Sequence, residues 1–355
     1  MNAVLGDYEL IGRLAYGGMS ELFLAVWRRL GAERLVVVKR VLPHLAADPH
    51  FVRLFYEEVR LTSRLGHPNI VDILDAGEDG GAPYLVLDYV SGLSLRQTID
   101  HVGALSVAEA VGIGVELAKA LRYAHAQTPP VIHRDVSPHN VLLSKSGFVK
   151  LADFGIAKAI DGNRQTLVGG LKGKLRYMAP EQAAGKPLTP AADQFSLGLL
   201  LYEALTGRAA YGENGGDATT LTRVARGDWC QKAPNWQAVD PSLREIVARM
   251  LAADPEQRWP EMRTVQRRLQ TYCARHVPDP WEDRLSRRLQ PLPLPEPQSL
   301  ETTDSVSASG LHASAPTRTW YLPLRQRWWW LWAWMVSAAT VVGGIAAVFG
   351  FGVEH

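Results

Sequence analysis

Residues Trp328 to Val353 form a run of 26 without one charged side chain, and no other feature restricts this chain so sharply. A bilayer core about 30 Å thick is crossed by roughly 20 apolar residues in a helix. A globular helix this long and apolar on every side would have no polar face to give to water. The run therefore predicts a membrane-spanning helix over 328–353, with an interfacial or buried helix as the alternative. The flanks favour the span. Trp328, Trp329, Trp330, Trp332 and Trp334 crowd its start, where indole rings prefer the headgroup interface. Arg318, Arg325 and Arg327 precede them, as basic residues do on the cytoplasmic side. Only Glu354 and His355 follow. The expected placement is a single pass through the inner (plasma) membrane, with the preceding residues cytoplasmic. Met1 to Asp7 lack the basic-then-apolar pattern of a signal peptide. Ala339, Gly343 and Ala347 recur every four residues, a small-residue face for helix pairing and hence an option for a homodimer.

Upstream of the run, two compositions alternate. Residues 276–325 are rich in Pro, Ser and Thr and contain Pro291-Leu292-Pro293-Leu294-Pro295-Glu296-Pro297. Such a stretch buries too little apolar surface to fold alone and predicts a flexible juxtamembrane spacer, or a docking strip for partners. Residues 8–275 have globular patterning. The 38 Lys and Arg against 36 Asp and Glu leave a formal net charge of +2, which gives no electrostatic reason to expect nucleic acid. The two cysteines, Cys230 and Cys273, have no metal-ligand spacing and no disulfide framework.

Within the globular region the candidate chemistry is ionic. Strand-like Tyr8 to Leu14 leads into Ala15-Tyr16-Gly17-Gly18-Met19-Ser20 and a second apolar strand through Leu22 to Trp27. A hairpin with a bare glycine tip suits close backbone approach to phosphates, although by itself an ordinary turn is the better reading. Lys39 ends the β-branched run Val36-Val37-Val38, and a lysine in such a setting needs a partner. The next segment shows helical spacing of Phe51, Leu54, Phe55 and Val59 and offers Glu58, although by itself a structural pair is again the better reading. His133-Arg134-Asp135 is followed by Asn140, and thirteen residues beyond Asn140 comes Asp153-Phe154-Gly155.

These segments, in this order, resemble the bacterial eukaryotic-like (Hanks-type) Ser/Thr protein kinases. Ala179-Pro180-Glu181, Asp193 and Arg258 fall where that family carries its activation-segment end, its buried helical aspartate and the arginine that pairs with Glu181. The resemblance implies an α+β bilobal kinase fold, with a β-rich N-lobe over 8–87 and a helical C-lobe over 91–275. It implies ATP and Mg2+ (or Mn2+) as cofactors and protein hydroxyls as acceptors. Leu14, Ala15, Gly17, Gly18, Leu22, Lys39, Asp88 and Val90 would contact ATP, with Glu58 holding Lys39. Asn140 and Asp153 would hold the metal, and Asp135 would take the acceptor proton. Arg134 and Thr166 imply control by autophosphorylation of the activation loop. The same fold without turnover, a scaffold binding nucleotide and a partner protein, is the alternative.

Two positions depart from the family pattern. Ser137 stands where most such kinases carry a lysine near the γ-phosphate, and Lys174 stands where they carry a threonine. A positional exchange, with the flexible Lys174 ammonium reaching toward Asp135, is the expectation these departures raise.

Overall fold

The computed structural model describes residues 3–29, 31–154, 174–212, 217–277 and 280–300. The N-terminal part is a six-stranded antiparallel sheet in the order β1-β2-β3-β4-β6-β5. Its strands are β1 (Val4–Leu5), β2 (Tyr8–Tyr16), β3 (Ser20–Arg29), β4 (Ala32–Val41), β5 (Ile73–Asp79) and β6 (Ala82–Asp88). β-Branched and aromatic side chains set its register. Val36 and Val38 of β4 point into one core with Leu10, Phe23, Tyr84 and Val86, as the period-two alternation of a half-buried strand requires. After α1 (Pro43–Ala46), helix α2 (Pro49–Thr62) starts where Asp48 accepts a bond from the His50 N–H, with Pro49 at the first helical position. Its Phe55 and Val59 close a second small core with Val41, Ala76 and Leu85.

The C-terminal part is helical around two buried rods. These are α4 (Val107–His125) and α6 (Pro190–Thr206); α3 (Leu95–Val102) and α5 (Pro180–Ala183) precede them in turn. Nearly every residue of α6 from Ala192 onward is buried, so this helix has no solvent face. A small sheet of β7 (Gly92–Ser94), β8 (Val141–Ser144) and β9 (Val149–Leu151) carries the loops of the site. Helices α7 (Asp217–Arg226), α8 (Pro234–Gln237), α9 (Pro241–Met250) and α10 (Met262–His276) complete the packing.

Two expected boundaries move. The N-lobe does not begin at residue 8, because Leu5 of β1 is wholly buried in its core. The expected free spacer from 276 is not free over its first part. Residues Trp281–Leu289 form helix α11, whose Trp281, Leu285 and Leu289 are buried in the C-lobe core. The physical reason lies in a stripe at i, i+4 and i+8, seated on α4. A Cβ at Gly112 would lie 2.1 Å from the Trp281 ring. The rest of the spacer, 301–325, and the run 328–353 lie outside the described residues. Among the described residues no helix is long and apolar enough to cross a membrane.

Candidate active site

The loop between α4 and β8 is held from below by one carboxylate. Asp193 of α6, wholly buried, accepts the backbone N–H groups of His133 and Arg134 at 2.8 Å each. His125 Nε2 lies 2.7 Å from the same carboxylate. Burial alone would raise the Asp193 pKa; the bond to His125 and the neighbouring His133 outweigh it and hold the group below its ordinary value. Drawing two consecutive N–H groups onto one acceptor bends the chain, and Arg134 adopts φ 65°, a region non-glycine residues seldom occupy. His133 is buried and its ring packs on Phe154 with centroids 4.4 Å apart. Its Nε2 lies 3.0 Å from the Ala152 carbonyl. Burial lowers its pKa, so the imidazole is neutral and structural.

This frame carries the ionic groups to one place. Asn140 donates from Nδ2 to the Asp135 carbonyl at 2.8 Å and to Asp135 Oδ2 at 3.2 Å. The Ala152 N–H donates to the Asn140 carbonyl at 2.8 Å, which sets the segment after β9 beside the loop. The next residue, Asp153, has φ 54° and turns its carboxylate to Lys39, with Nζ 2.8 Å from Oδ1. Lys39 comes from β4, opposite Leu22 of β3, just past the turn in which the Gly17 N–H donates to the Ser20 carbonyl at 2.9 Å. Among the described residues nothing lies within 4 Å of a Cβ built on Gly18, at the tip of this turn. Four residues that sequence reading selected, Lys39, Asp135, Asn140 and Asp153, are therefore linked by a continuous chain of contacts across both lobes. Two strained backbone positions within one site are the pattern of a preorganised functional centre.

The remaining candidates fall as follows. Leu14, Ala15 and Leu22 lie on the two strands bounding the glycine turn. Asp88 ends β6 and pairs with Arg34 at 2.8 Å, and Val90 follows in the link to β7. Ser137 is buried. Glu58 lies in α2 with its side chain outside the described residues, as is that of Lys174, which opens a 3-10 turn ending at Tyr177. Thr166 and Gly155 lie outside them entirely. Arg134 Nε is buried and has no hydrogen-bond partner among the described residues.

Oxygen donors suit a hard divalent cation. With the Asn140 amide nitrogen committed to Asp135, the Asn140 side-chain oxygen and the Asp153 carboxylate are the oxygens this site would offer such a cation. Two protein ligands fit a Mg2+ ion that keeps waters and borrows phosphate oxygens.

Sequence reasoning missed two supports. His125 carried no signal, being a lone histidine at a helix end. Glu203 of α6, also buried, accepts bonds from the Tyr177 hydroxyl and from Arg96 of α3, joining the end of the activation segment to the helical core. Arg258 and Glu181, by contrast, were legible, and they meet in a buried two-pronged pair at 2.6 and 2.8 Å.

Residues 8–269 match the family described as protein kinase domain. The chain is 38% identical over 285 residues to the tyrosine-protein kinase MasK of Myxococcus xanthus, covering 77% of this chain and 44% of MasK. It is 33% identical over 355 residues to the serine/threonine-protein kinase PknA of Mycobacterium tuberculosis, covering 97% of this chain and 80% of PknA. Against the serine/threonine-protein kinase PrkC of Bacillus subtilis it is 34% identical over 257 residues, with 72% and 39% covered. The chain thus spans less than half the length of MasK and of PrkC.

Proposed function

We infer that this chain, which belongs to the protein kinase domain family and is an enzyme of the protein serine/threonine kinase class, works as an ATP-dependent kinase on the inner face of a membrane and is switched on by a phosphate at Thr166. The observation that carries the chemistry is the chain of contacts from Lys39 through Asp153 and Asn140 to Asp135. In-line phosphoryl transfer needs positioning and charge neutralisation more than covalent help.

The reading gives each group a role consistent with its place. The glycine turn and Lys39 lie on the N-lobe strands and bind the ATP phosphates. Asp153 and Asn140 would hold the divalent ion, which would supply charge neutralisation at the phosphates. Asp135 receives the acceptor hydroxyl proton as its oxygen forms the new bond to phosphorus and the bond to the ADP oxygen breaks. Asp193 keeps Asp135 in place by fixing the two residues before it.

Support for Thr166 comes from Arg134. A buried guanidinium nitrogen without a partner is costly, and a phosphate with its added charge of about −1.5 to −2 would satisfy it. Support for the membrane comes from the charge-free run at 328–353 with its tryptophans and arginines. Tethering of this kind favours transfer between neighbouring copies by raising local concentration.

Incubation with radiolabelled ATP and a mixed protein substrate tests the reading. Phosphoserine and phosphothreonine should appear, and Asp135→Asn should lower the rate by about 10²- to 10⁴-fold. Label confined to tyrosine would overturn the choice of acceptor, a live contrast given the name of MasK. Equal label in the Asp135→Asn variant would overturn the site. Recovery of the full chain in the alkaline-washed membrane fraction checks the tether.

A further inference from the structure

The proline-rich segment expected to hang free is fastened to both lobes. At its start, α11 is anchored in the C-lobe. Lys145 Nζ donates to the carbonyls of Leu289 at 2.6 Å and Gln290 at 2.9 Å, and to that of Leu292. Arg288 Nε donates to Oε1 of the buried Glu109 at 2.7 Å. Gly147 approaches so closely that a Cβ there would lie 2.5 Å from the Glu282 carbonyl oxygen. Leu292 still packs on the C-lobe core.

At its far end the same segment joins the N-lobe sheet. The Arg13 N–H donates to the Gln298 carbonyl at 2.9 Å, and the Gln298 N–H donates back to the Arg13 carbonyl at 2.8 Å, an antiparallel bridge. This is the edge of β2 opposite β3, continuing where β1 stops. Gly12 makes room for it. A Cβ at Gly12 would lie 2.6 Å from the Gln298 carbonyl oxygen and 2.9 Å from Pro297 Cβ. Leu300 then packs on the N-lobe core. Between the anchors, Pro293, Pro295 and Pro297 alternate with other residues. Chain of this kind is extended and stiff, at about 3.1 Å per residue, so the six steps from Leu292 to Gln298 make a tie of roughly 19 Å.

We propose that residues 291–300 are an inter-lobe tie that positions the glycine-rich turn: by adding to the free edge of β2 one residue before Leu14, the tie holds that strand in place and limits how far the N-lobe swings from the C-lobe. The bridge joins backbone to backbone at Arg13 on the edge of β2, so it acts on nucleotide binding by positioning that strand. Docking of an extended strip on an open strand edge is a general mode of recognition, used here within one chain. The role in nucleotide binding rests on the assignment of the turn from Leu14 to Leu22 as the cover over the ATP phosphates.

The test uses the full chain in detergent micelles and attacks the bridge from both sides. Gln298→Pro removes the N–H donor without touching the lobes, and Gly12→Val fills the notch. Two quantities are read: hydrogen exchange at the Arg13 amide, which reports docking whether or not the protein turns over, and the Kd of a fluorescent ATP analogue. The expected result is exchange at Arg13 faster by about ten-fold or more in each variant. Analogue binding should weaken by about five-fold or more, and the double variant should be no weaker than the worse single one, because both remove the same contact. Unchanged exchange at Arg13 in Gln298→Pro overturns the docking. Faster exchange with unchanged or tighter analogue binding overturns the positioning role. Absence of phosphoryl transfer in the wild-type chain would instead count against the kinase reading, and both readouts would still decide the tie.

Discussion

Gly112 and Trp281 form a pair whose mutational effects should reverse sign. Gly112 sits inside α4, where alanine normally stabilises a helix by about 1 kcal/mol relative to glycine. Here an added Cβ would lie 2.1 Å from Trp281 Cδ2 and 2.4 Å from Cε2, so the indole must move. Overpacking of this kind costs about 1–3 kcal/mol. Trp281→Ala removes a ring that is 8% exposed, at a cost of about 3–5 kcal/mol. In that background the obstacle to a methyl group at 112 is gone, and Gly112→Ala should stabilise by roughly 0.5–1 kcal/mol. The coupling between the two sites is then about 1.5–4 kcal/mol. Urea unfolding of residues 1–300 for the four proteins of the cycle measures it, provided the slope of free energy against urea stays constant. If Gly112→Ala shifts the midpoint in the same direction in both backgrounds, α11 is not seated on α4 as described, and the C-lobe ends before residue 281.

His133 has a pKa below its ordinary 6.5, chiefly through burial, so its contribution to stability is complete above pH 6.5 and is lost as pH falls through the lowered value. Asp193, held below 3.8, adds a second loss below about pH 4; urea midpoints across pH 3–8 should fall in these two stages, and a flat profile from 7 to 5 would exclude the buried neutral histidine. Lys174→Thr should lower kcat by about ten-fold or more, and adding Ser137→Lys should restore most of it, the scale of one misplaced charged contact near the reacting phosphate; full activity in the single variant would remove the exchange between these positions. Thr166→Ala should reduce activity, and mass spectrometry of active protein with no phosphate at Thr166 would refute the switch.

How much of this was legible depended on whether a residue is defined by chemistry at fixed spacing or by the surface it meets. Asp135, Asn140, Asp153, Asp193, Glu181 and Arg258 could be read because they stand in short motifs whose order and spacing resemble those of the Hanks-type kinases. The tract 281–300 misled because its composition, three arginines in α11 and four prolines after it, is that of a solvated spacer. Its Trp281, Leu285 and Leu289 stripe was visible in the sequence, but the surface that receives it is made by Gly112, Gly147 and Lys145, which are far away in the chain. β1 was unreadable for a simpler reason, since two residues carry no periodicity. Glu109 depends on the fold in the same way, because one of its oxygens caps α4 while the other holds Arg288 from far along the chain.

The bond between Lys39 and Asp153 crosses from β4 in one lobe to the segment after β9 in the other. Its two ends therefore belong to different lobes. A relative displacement of even 1–2 Å carries the ammonium out of hydrogen-bond range. Assembly of the ionic cluster and closure of the cleft are then a single event, and any ligand that wedges the halves apart disarms the enzyme without touching Asp135, which travels with the helical half through Asp193.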